Sequence, residues 1–81
     1  MDFRLGNLHR DRSSVLVDVY VGQETTPIGC IDLVGVGIAS LDTSERPLTE
    51  GLLTDLFDRA RRFAKRNEAE IAKLLADASA G

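Results

Sequence analysis

Side chains able to act as a nucleophile, a base or a soft metal ligand are scarce in this sequence, which has a single cysteine, Cys30, and a single histidine, His9. A nucleophilic dyad needs a thiol or hydroxyl beside a base. Cys30 lies in an apolar run, where a free cysteine usually behaves as a small hydrophobic residue, and His9 lies in a polar stretch that predicts an exposed imidazole. One His and one Cys fall short of the four N or S ligands of a structural zinc site. We therefore expect a protein that is not an enzyme, with no catalytic, cofactor-binding or metal-binding residues.

Two carboxylates, Asp18 and Asp32, interrupt stretches that are otherwise apolar or alternating. If those stretches pair as strands, the two side chains could lie close together and share a proton, as in acid–base sites. The alternative, which we favour, is that each faces solvent on an open sheet or pairs with an arginine. Gly35 and Gly37 lack the further glycine and the Lys or Ser/Thr context of a phosphate-binding loop.

The densest charge lies in a basic segment, residues 59–66, whose five cations are Arg59, Arg61, Arg62, Lys65 and Arg66. On a helical wheel they bracket an apolar stripe instead of forming the single row that would suit phosphate tracking. Long basic side chains often cover the edge of a core in this way, so a solvated face is the simplest interpretation. Asp55 and Asp58 precede Arg59 and Arg62 by four residues, the favourable spacing for helical ion pairs. If the basic segment has a function, we expect its five cations to bind a partner.

Composition and charge limit the class of protein. A net charge of −3 and a pI of about 5.0 exclude the strongly basic balance of a dedicated nucleic-acid binder. The 81 residues, 43% of them hydrophobic and 28% charged, suit one folded core. A lone cysteine fits a reducing compartment. The chain has no signal-peptide run and no stretch near the roughly 20 apolar residues that span a bilayer, so we expect a cytoplasmic protein without membrane contact.

The beginning of the chain has weak strand character. Residues 2–8 alternate, with Phe3 and Leu5 on one face and Arg4 on the other, which predicts a short edge strand. The polar residues 9–12 are expected to form a connection after it.

Two further strands are predicted with clearer patterns. Residues 13–21 alternate with period two, which places a row of valines on the core face, namely Val15, Val17, Val19 and Val21. Residues 28–39 are apolar on both faces and predict a central strand. Because glycine within a strand marks a bend or the close approach of another backbone, we expect one of these near Gly35 and Gly37.

The second half of the chain has helical periodicity. Thr49 is the expected N-cap, with Leu48 and Leu53 placed as a hydrophobic staple. A continuous rod would be about 43 Å long, beyond the roughly 30 Å of a core this size. Either the helix breaks near Asn67, whose side chain would cap a second helix with Glu70 at its third position, or the rod packs against a second copy. We slightly favour the dimer, with interface residues Asn67, Ile71, Leu74 and Leu75.

The sequence as a whole predicts an α+β fold with one domain, residues 1–81. A small antiparallel sheet of two to three strands, a β-β-β meander over residues 2–39, is followed by a connection at 40–48. One long or broken C-terminal helix then occupies residues 49–78.

The predicted function is that of a small non-enzymatic protein-interaction module, such as an inhibitor, adaptor or accessory regulatory subunit, acting through its helical surface. The alternative is a dimeric nucleic-acid-binding regulator that uses the basic segment. We expect the partner to be another protein chain, together with a homodimer and no cofactor. The order of strands and helix recurs in many small proteins and does not by itself assign a function.

Overall fold

A computed structural model describes residues 2–35, 37–42, 44 and 47–80, with side chains described up to residue 77. It contains four strands and two helices: β1 (Phe3–Asp11), β2 (Ser14–Val21), β3 (Gly29–Asp32), β4 (Gly37–Leu41), α1 (Glu50–Arg66) and α2 (Glu68–Ala80). The strands form one antiparallel sheet in the order β1-β2-β3-β4. The predicted α+β layout, a meander followed by helix, is therefore confirmed. The sheet has one strand more than predicted, and the helical region is two helices.

β1 is longer than the sequence predicted. It pairs with β2 from Phe3 to Asp11, so most of the expected polar connection at 9–12 is strand. The prediction failed there because His9, Arg10 and Asp11 are consecutive polar residues with no alternation, and only their pairing with Leu16, Val15 and Ser14 of β2 makes them strand. The chain reverses at Arg12, which has a positive φ of 56°. Asn7 has a φ of 59° and forms a β-bulge, since the pairing register shifts between Gly6 and Leu8.

The predicted single strand over residues 28–39 is wrong, because two strands and a turn occupy it. The Asp32 Oδ1 atom accepts hydrogen bonds from the backbone N–H groups of Val34 at 2.8 Å and Gly35 at 3.2 Å. An aspartate that binds the backbone two residues ahead stabilises a turn, so the chain reverses and β4 returns along β3. Apolar residues in and around the turn made the run look like one continuous strand.

The bend expected near Gly35 and Gly37 is confirmed by the turn over residues 33–35, whereas the close approach between backbones in this region occurs at Gly29. A Cβ atom on Gly29 would collide with the carbonyl oxygen of Ser40 in β4 and would lie 2.7 Å from the Leu41 Cα atom. A Cβ atom on Gly37 would meet nothing within 4 Å, and one on Gly35 would have ordinary contact with Asp32. Only glycine fits between β3 and β4 at position 29.

The core lies between one face of the sheet and α1. The predicted valine row is confirmed, because Val15, Val17 and Val19 are fully buried and Val21 packs against the core cluster. α1 contributes Leu56 and Ala60, both fully buried. Burial of each large aliphatic side chain stabilises the fold by about 1.5–3 kcal/mol relative to exposure.

The two helices have the expected beginning and a division at Asn67. The Thr49 hydroxyl accepts a hydrogen bond from the Leu52 N–H at 3.3 Å, which confirms the N-cap. The Asn67 side chain does not open α2 as predicted. Its Nδ2 atom donates back to the Phe63 carbonyl at 2.9 Å, and the Asn67 backbone N–H donates to the same carbonyl at 3.0 Å, so Asn67 closes the last turn of α1.

α2 lies against the sheet of its own chain. It contacts β1 and β2, and Ile71 packs against the core cluster. The helical region thus follows the alternative in which the helix breaks near Asn67. The described part of the chain measures 40 × 21 × 20 Å along its principal axes, with a radius of gyration of 12.8 Å.

Candidate functional site

The candidate site is a groove between β1 and α1, which we call the β1–α1 groove. Its volume is about 600 Å³, and its lining residues are Phe3, Arg4, Leu5, Arg59, Arg62, Phe63, Lys65 and Arg66. Side chains alternate between the two faces of a strand, so Arg4 points away from the face of Phe3 and Leu5. A cavity bordered by all three must extend over the edge of β1, which is an outer strand of the sheet.

The floor of the β1–α1 groove is apolar. Phe3 is buried, whereas Leu5 and Phe63 are half-buried and pack against the core cluster. Phe63 comes from α1 and the other two side chains come from β1. The floor is therefore built by tertiary packing, and no local sequence pattern predicts it.

Four of the five cations predicted as partner-binding residues line the groove, and Arg61 does not. Arg59 Nε lies 2.9 Å from Asp55 Oδ2, and Arg62 Nη2 lies 2.7 Å from Asp58 Oδ2. Both ion pairs predicted from the four-residue spacing are thus confirmed. The hydrogen bond from Arg62 lowers the pKa of Asp58 and, reciprocally, raises the pKa of Arg62. The Arg62–Asp58 pair is exposed and the Arg59–Asp55 pair is partly so, and pairs this accessible to solvent contribute little to stability.

The other two groove cations of α1, Lys65 and Arg66, form no ion pair with any residue that the structure describes. Both side chains are exposed, and they follow Phe63 along α1. The described part of the groove therefore combines an apolar floor with a positive rim that is only half neutralised.

Arg4 is a groove residue that the sequence analysis did not single out. Its guanidinium donates to the carbonyl oxygens of Gly22 and Glu24, each at 2.6 Å, and lies 5.2 Å from the centre of the Tyr20 ring. These contacts fasten β1 to the β2–β3 loop at the mouth of the groove. An arginine opposite a tyrosine in neighbouring strands was the only signal for this arrangement in the sequence.

Of the four residues predicted for a dimer interface, Asn67 lies between the helices and the other three lie in α2. Asn67 is bonded to Phe63, Ile71 packs on the core of its own chain, and Leu74 and Leu75 are half-buried. A smaller cavity of about 330 Å³ beside Ile71 is bordered by Leu33, Ala64, Lys65 and Glu68. These contacts describe one chain, and the association of two copies stays a prediction.

The open face of the sheet holds a polar cluster that the sequence analysis missed. Asp18 accepts a hydrogen bond from Asn7 Nδ2 at 2.8 Å, and its other oxygen lies 3.0 Å from His9 Nε2. The His9 side chain is 40% exposed, so its predicted exposure is confirmed in part, whereas its contact with Asp18, which is only 16% exposed, was not predicted. Burial acts to raise the pKa of Asp18, but the hydrogen bonds from Asn7 and His9 outweigh it and the pKa is lowered.

Cys30 lies directly opposite Asp18 in the β2–β3 pairing. Burial, followed by the negative charges of Asp18 and Asp11, raises the pKa of the Cys30 thiol. A raised pKa reduces the thiolate population, and the thiolate is the nucleophile. Neither the β1–α1 groove nor the smaller cavity is bordered by His9 or Cys30.

The carboxylates of Asp18 and Asp32 have separate partners. Asp32 accepts a hydrogen bond from Ser14 Oγ at 3.1 Å in addition to those from the turn backbone. The arrangement in which the two share a proton does not form. Both side chains lie on the open face of the sheet, as in the alternative that we favoured, but neither has an arginine partner. In both cases the partners are neutral donors or histidine, which are held nearby by strand pairing and by the turn.

The described residues contain no group of three or more His, Cys, Asp or Glu side chains placed to hold a metal ion. Among the helices that the structure describes, none is long and apolar enough to cross a membrane. No family model, curated protein or solved structure matches this chain.

Proposed function

We propose that this chain is a small non-enzymatic protein-interaction module whose binding surface is the β1–α1 groove, and that its partner is an acidic segment of another protein chain. The observation that carries the proposal is the combination of an apolar floor with Lys65 and Arg66, which have no acidic partner in the described chain. An inhibitor, an adaptor or an accessory subunit would each use such a surface.

Size and charge support this choice of partner. A volume of about 600 Å³ lies within the usual range for ligand-binding clefts. The whole chain has a net charge of −3, so the positive groove contrasts with the rest of its surface. Complementary charge of this kind steers partners and selects among them more than it raises affinity. A ligand held only by phosphate contacts would leave the apolar floor of the groove uncovered, whereas apolar side chains of a protein segment would cover it.

A second candidate function is nucleic-acid binding, favoured by five cations along one groove, four of them on α1. Two features weaken it. Asp55 and Asp58 already pair with Arg59 and Arg62, and Arg61 lies outside the groove. A regulator of this class would bind as a dimer through the basic segment and would contact phosphates with most of its cations.

Binding of short fluorescent probes tests both candidates. The probes are a peptide that alternates glutamate and valine, the matching peptide with lysine in place of glutamate, and single-stranded oligothymidylate. We expect the acidic peptide to bind and the basic peptide to show no binding. Arg66→Glu should lower the affinity for the acidic peptide by about tenfold, because it reverses a charge at the groove rim.

Arg61→Glu is the matched control, since it makes the same charge change on the same helix outside the groove. It should change affinity by about twofold or less, as expected for an exposed charge away from the contact. Equal losses of affinity in the two variants would show that binding depends on overall charge, and would contradict binding at the groove. Tighter binding of oligothymidylate, with a steep loss between about 50 mM and 200 mM salt, would favour the nucleic-acid regulator instead.

A further inference from the structure

We infer that the partner segment binds as an added strand on the outer edge of β1, with its acidic side chains beside the positive rim of the β1–α1 groove. This inference rests on the proposed function and specifies how the partner binds. Addition of an extended peptide to a sheet edge is a general mode of recognition in which main-chain hydrogen bonds supply affinity and neighbouring pockets supply specificity.

The hydrogen-bond pattern of the sheet identifies which main-chain groups of β1 point outward. The Val19 and Val15 carbonyls accept hydrogen bonds from Ile28 and Leu33 on the β3 side of the sheet. Because successive residues of a strand direct their main-chain groups to opposite sides, the groups of Tyr20 point towards β1. Arg4 pairs with Tyr20, so the main-chain groups of Arg4 point towards β2. The main-chain groups of its neighbours Phe3 and Leu5 therefore point outward, away from the sheet.

These outward groups border the groove and are weakly used. The Phe3 carbonyl receives a hydrogen bond from Arg59 Nη1 at 3.4 Å, a long contact from a side chain that Asp55 already holds. No described residue bonds to the outward N–H or carbonyl of Leu5. An incoming strand would supply N–H···O bonds of about 2.9 Å at both positions. It would also free the Nη1 atom of Arg59, whose Nε atom stays bonded to Asp55, to meet an acidic side chain.

The available edge is short and its occupant is acidic. The bulge at Asn7 twists the strand and breaks the ladder, which confines regular pairing to the part of β1 before it. A second copy of this chain would bring its own Lys65 and Arg66 to the same edge, and like charges opposed in this way are unfavourable. An acidic segment with β-branched residues, which favour strands, meets both requirements.

Backbone methylation of the probe peptide tests this inference with the wild-type protein. The parent peptide alternates glutamate and valine, and two derivatives carry N-methyl groups on every glutamate or on every valine. An added strand directs the N–H groups of only one alternating set towards β1. One derivative should therefore lose binding by about tenfold or more, through several lost hydrogen bonds, while the other stays close to the parent. Exchange of the Leu5 amide hydrogen should slow in the complex.

The outcomes separate the two proposals. If the parent binds and both derivatives bind equally well, or both lose binding equally, strand addition is overturned while the proposed function stands. Unchanged Leu5 exchange in a saturated complex overturns it as well. If the parent peptide does not bind at all, the proposed function itself fails.

Discussion

His9 and Asp18 form a pair across β1 and β2, with Nε2 and Oδ1 3.0 Å apart, on the face of the sheet opposite the core. The bulge at Asn7 accompanies this pair, because the Asn7 amide bonds the other oxygen of the same carboxylate at 2.8 Å. One carboxylate thus joins the bulge residue of β1 to a side chain two positions farther along the same strand.

Loss of the Asp18 carboxylate should change how stability depends on pH. The pKa of Asp18 is lowered in the folded chain. The charged carboxylate therefore contributes to the stability of the fold above the ordinary carboxyl pKa, and this contribution disappears as pH falls through the lowered value. We expect Asp18→Asn to destabilise the fold by about 1–2 kcal/mol at pH 7 and to flatten the acid limb of the stability curve. Urea unfolding at a series of pH values measures both effects.

Asp77→Asn is the control for this experiment, since Asp77 is exposed on α2. It should leave both stability and the acid limb close to wild type. An Asp18→Asn variant with the same acid limb as the wild type would show that the hydrogen bonds from Asn7 and His9 do not stabilise the charged carboxylate.

A methyl group at position 29 should be poorly tolerated. Gly29→Ala places a Cβ atom against the backbone of Ser40 and Leu41, where neither strand can yield without loss of pairing. We expect a loss of about 3 kcal/mol in the free energy of unfolding, typical of overpacking at a rigid site. A Cβ atom at position 37 has open space around it, so the free energy of unfolding of Gly37→Ala should stay within about 1 kcal/mol of wild type. Similar effects of the two changes would contradict the close approach of β3 and β4.

The threonines at the start of α1 should differ in their contributions. Thr49 caps the helix through its hydroxyl, so Thr49→Ala should cost about 1 kcal/mol. The Thr54 hydroxyl bonds only the Glu50 carbonyl within the same helix, so Thr54→Ala should be neutral or slightly stabilising because alanine favours helix. Thermal unfolding by circular dichroism compares the two, and a reversed order would show that Thr49 does not act as a cap.

The mass of the chain in solution tests the dimer prediction. α2 packs on the sheet of its own chain, so we now expect a monomer by sedimentation at micromolar concentration. Leu74→Asp should lower the free energy of unfolding by roughly 1–3 kcal/mol without changing that mass, because it puts a charge at a half-buried site. Ala72→Asp, at an exposed site of the same helix, is the control. A wild-type dimer that Leu74→Asp dissociates would restore the interface at Asn67, Ile71, Leu74 and Leu75.

Local patterns predicted the local parts of the fold. The valine row of β2, the Thr49 cap and both ion pairs of α1 depend on residues within a few positions of one another, and all are present. The turn after β3 was missed because its stabilising contacts come from Asp32, whereas the residues around it are apolar. Apolar periodicity does not distinguish a strand from a turn of this composition.

The candidate site was only half predictable. The basic segment supplied four of its cations, but the floor and the strand edge depend on where β1 lies against α1. That relationship joins residues at opposite ends of the chain, and no spacing within either element specifies it. The His9–Asp18 pair was missed for a similar reason, because it depends on the bulge and on the extension of β1 beyond residue 8.

The left-handed conformation of Asn7 also has a consequence for aggregation. An uninterrupted nine-residue outer strand would be a template onto which further chains could add without limit. The extra residue at Asn7 divides that template into two short pieces with different twist, neither long enough to seed a stable fibre. A deletion of Asn7 should therefore make the protein more prone to fibril formation at high concentration, even where its fold is retained.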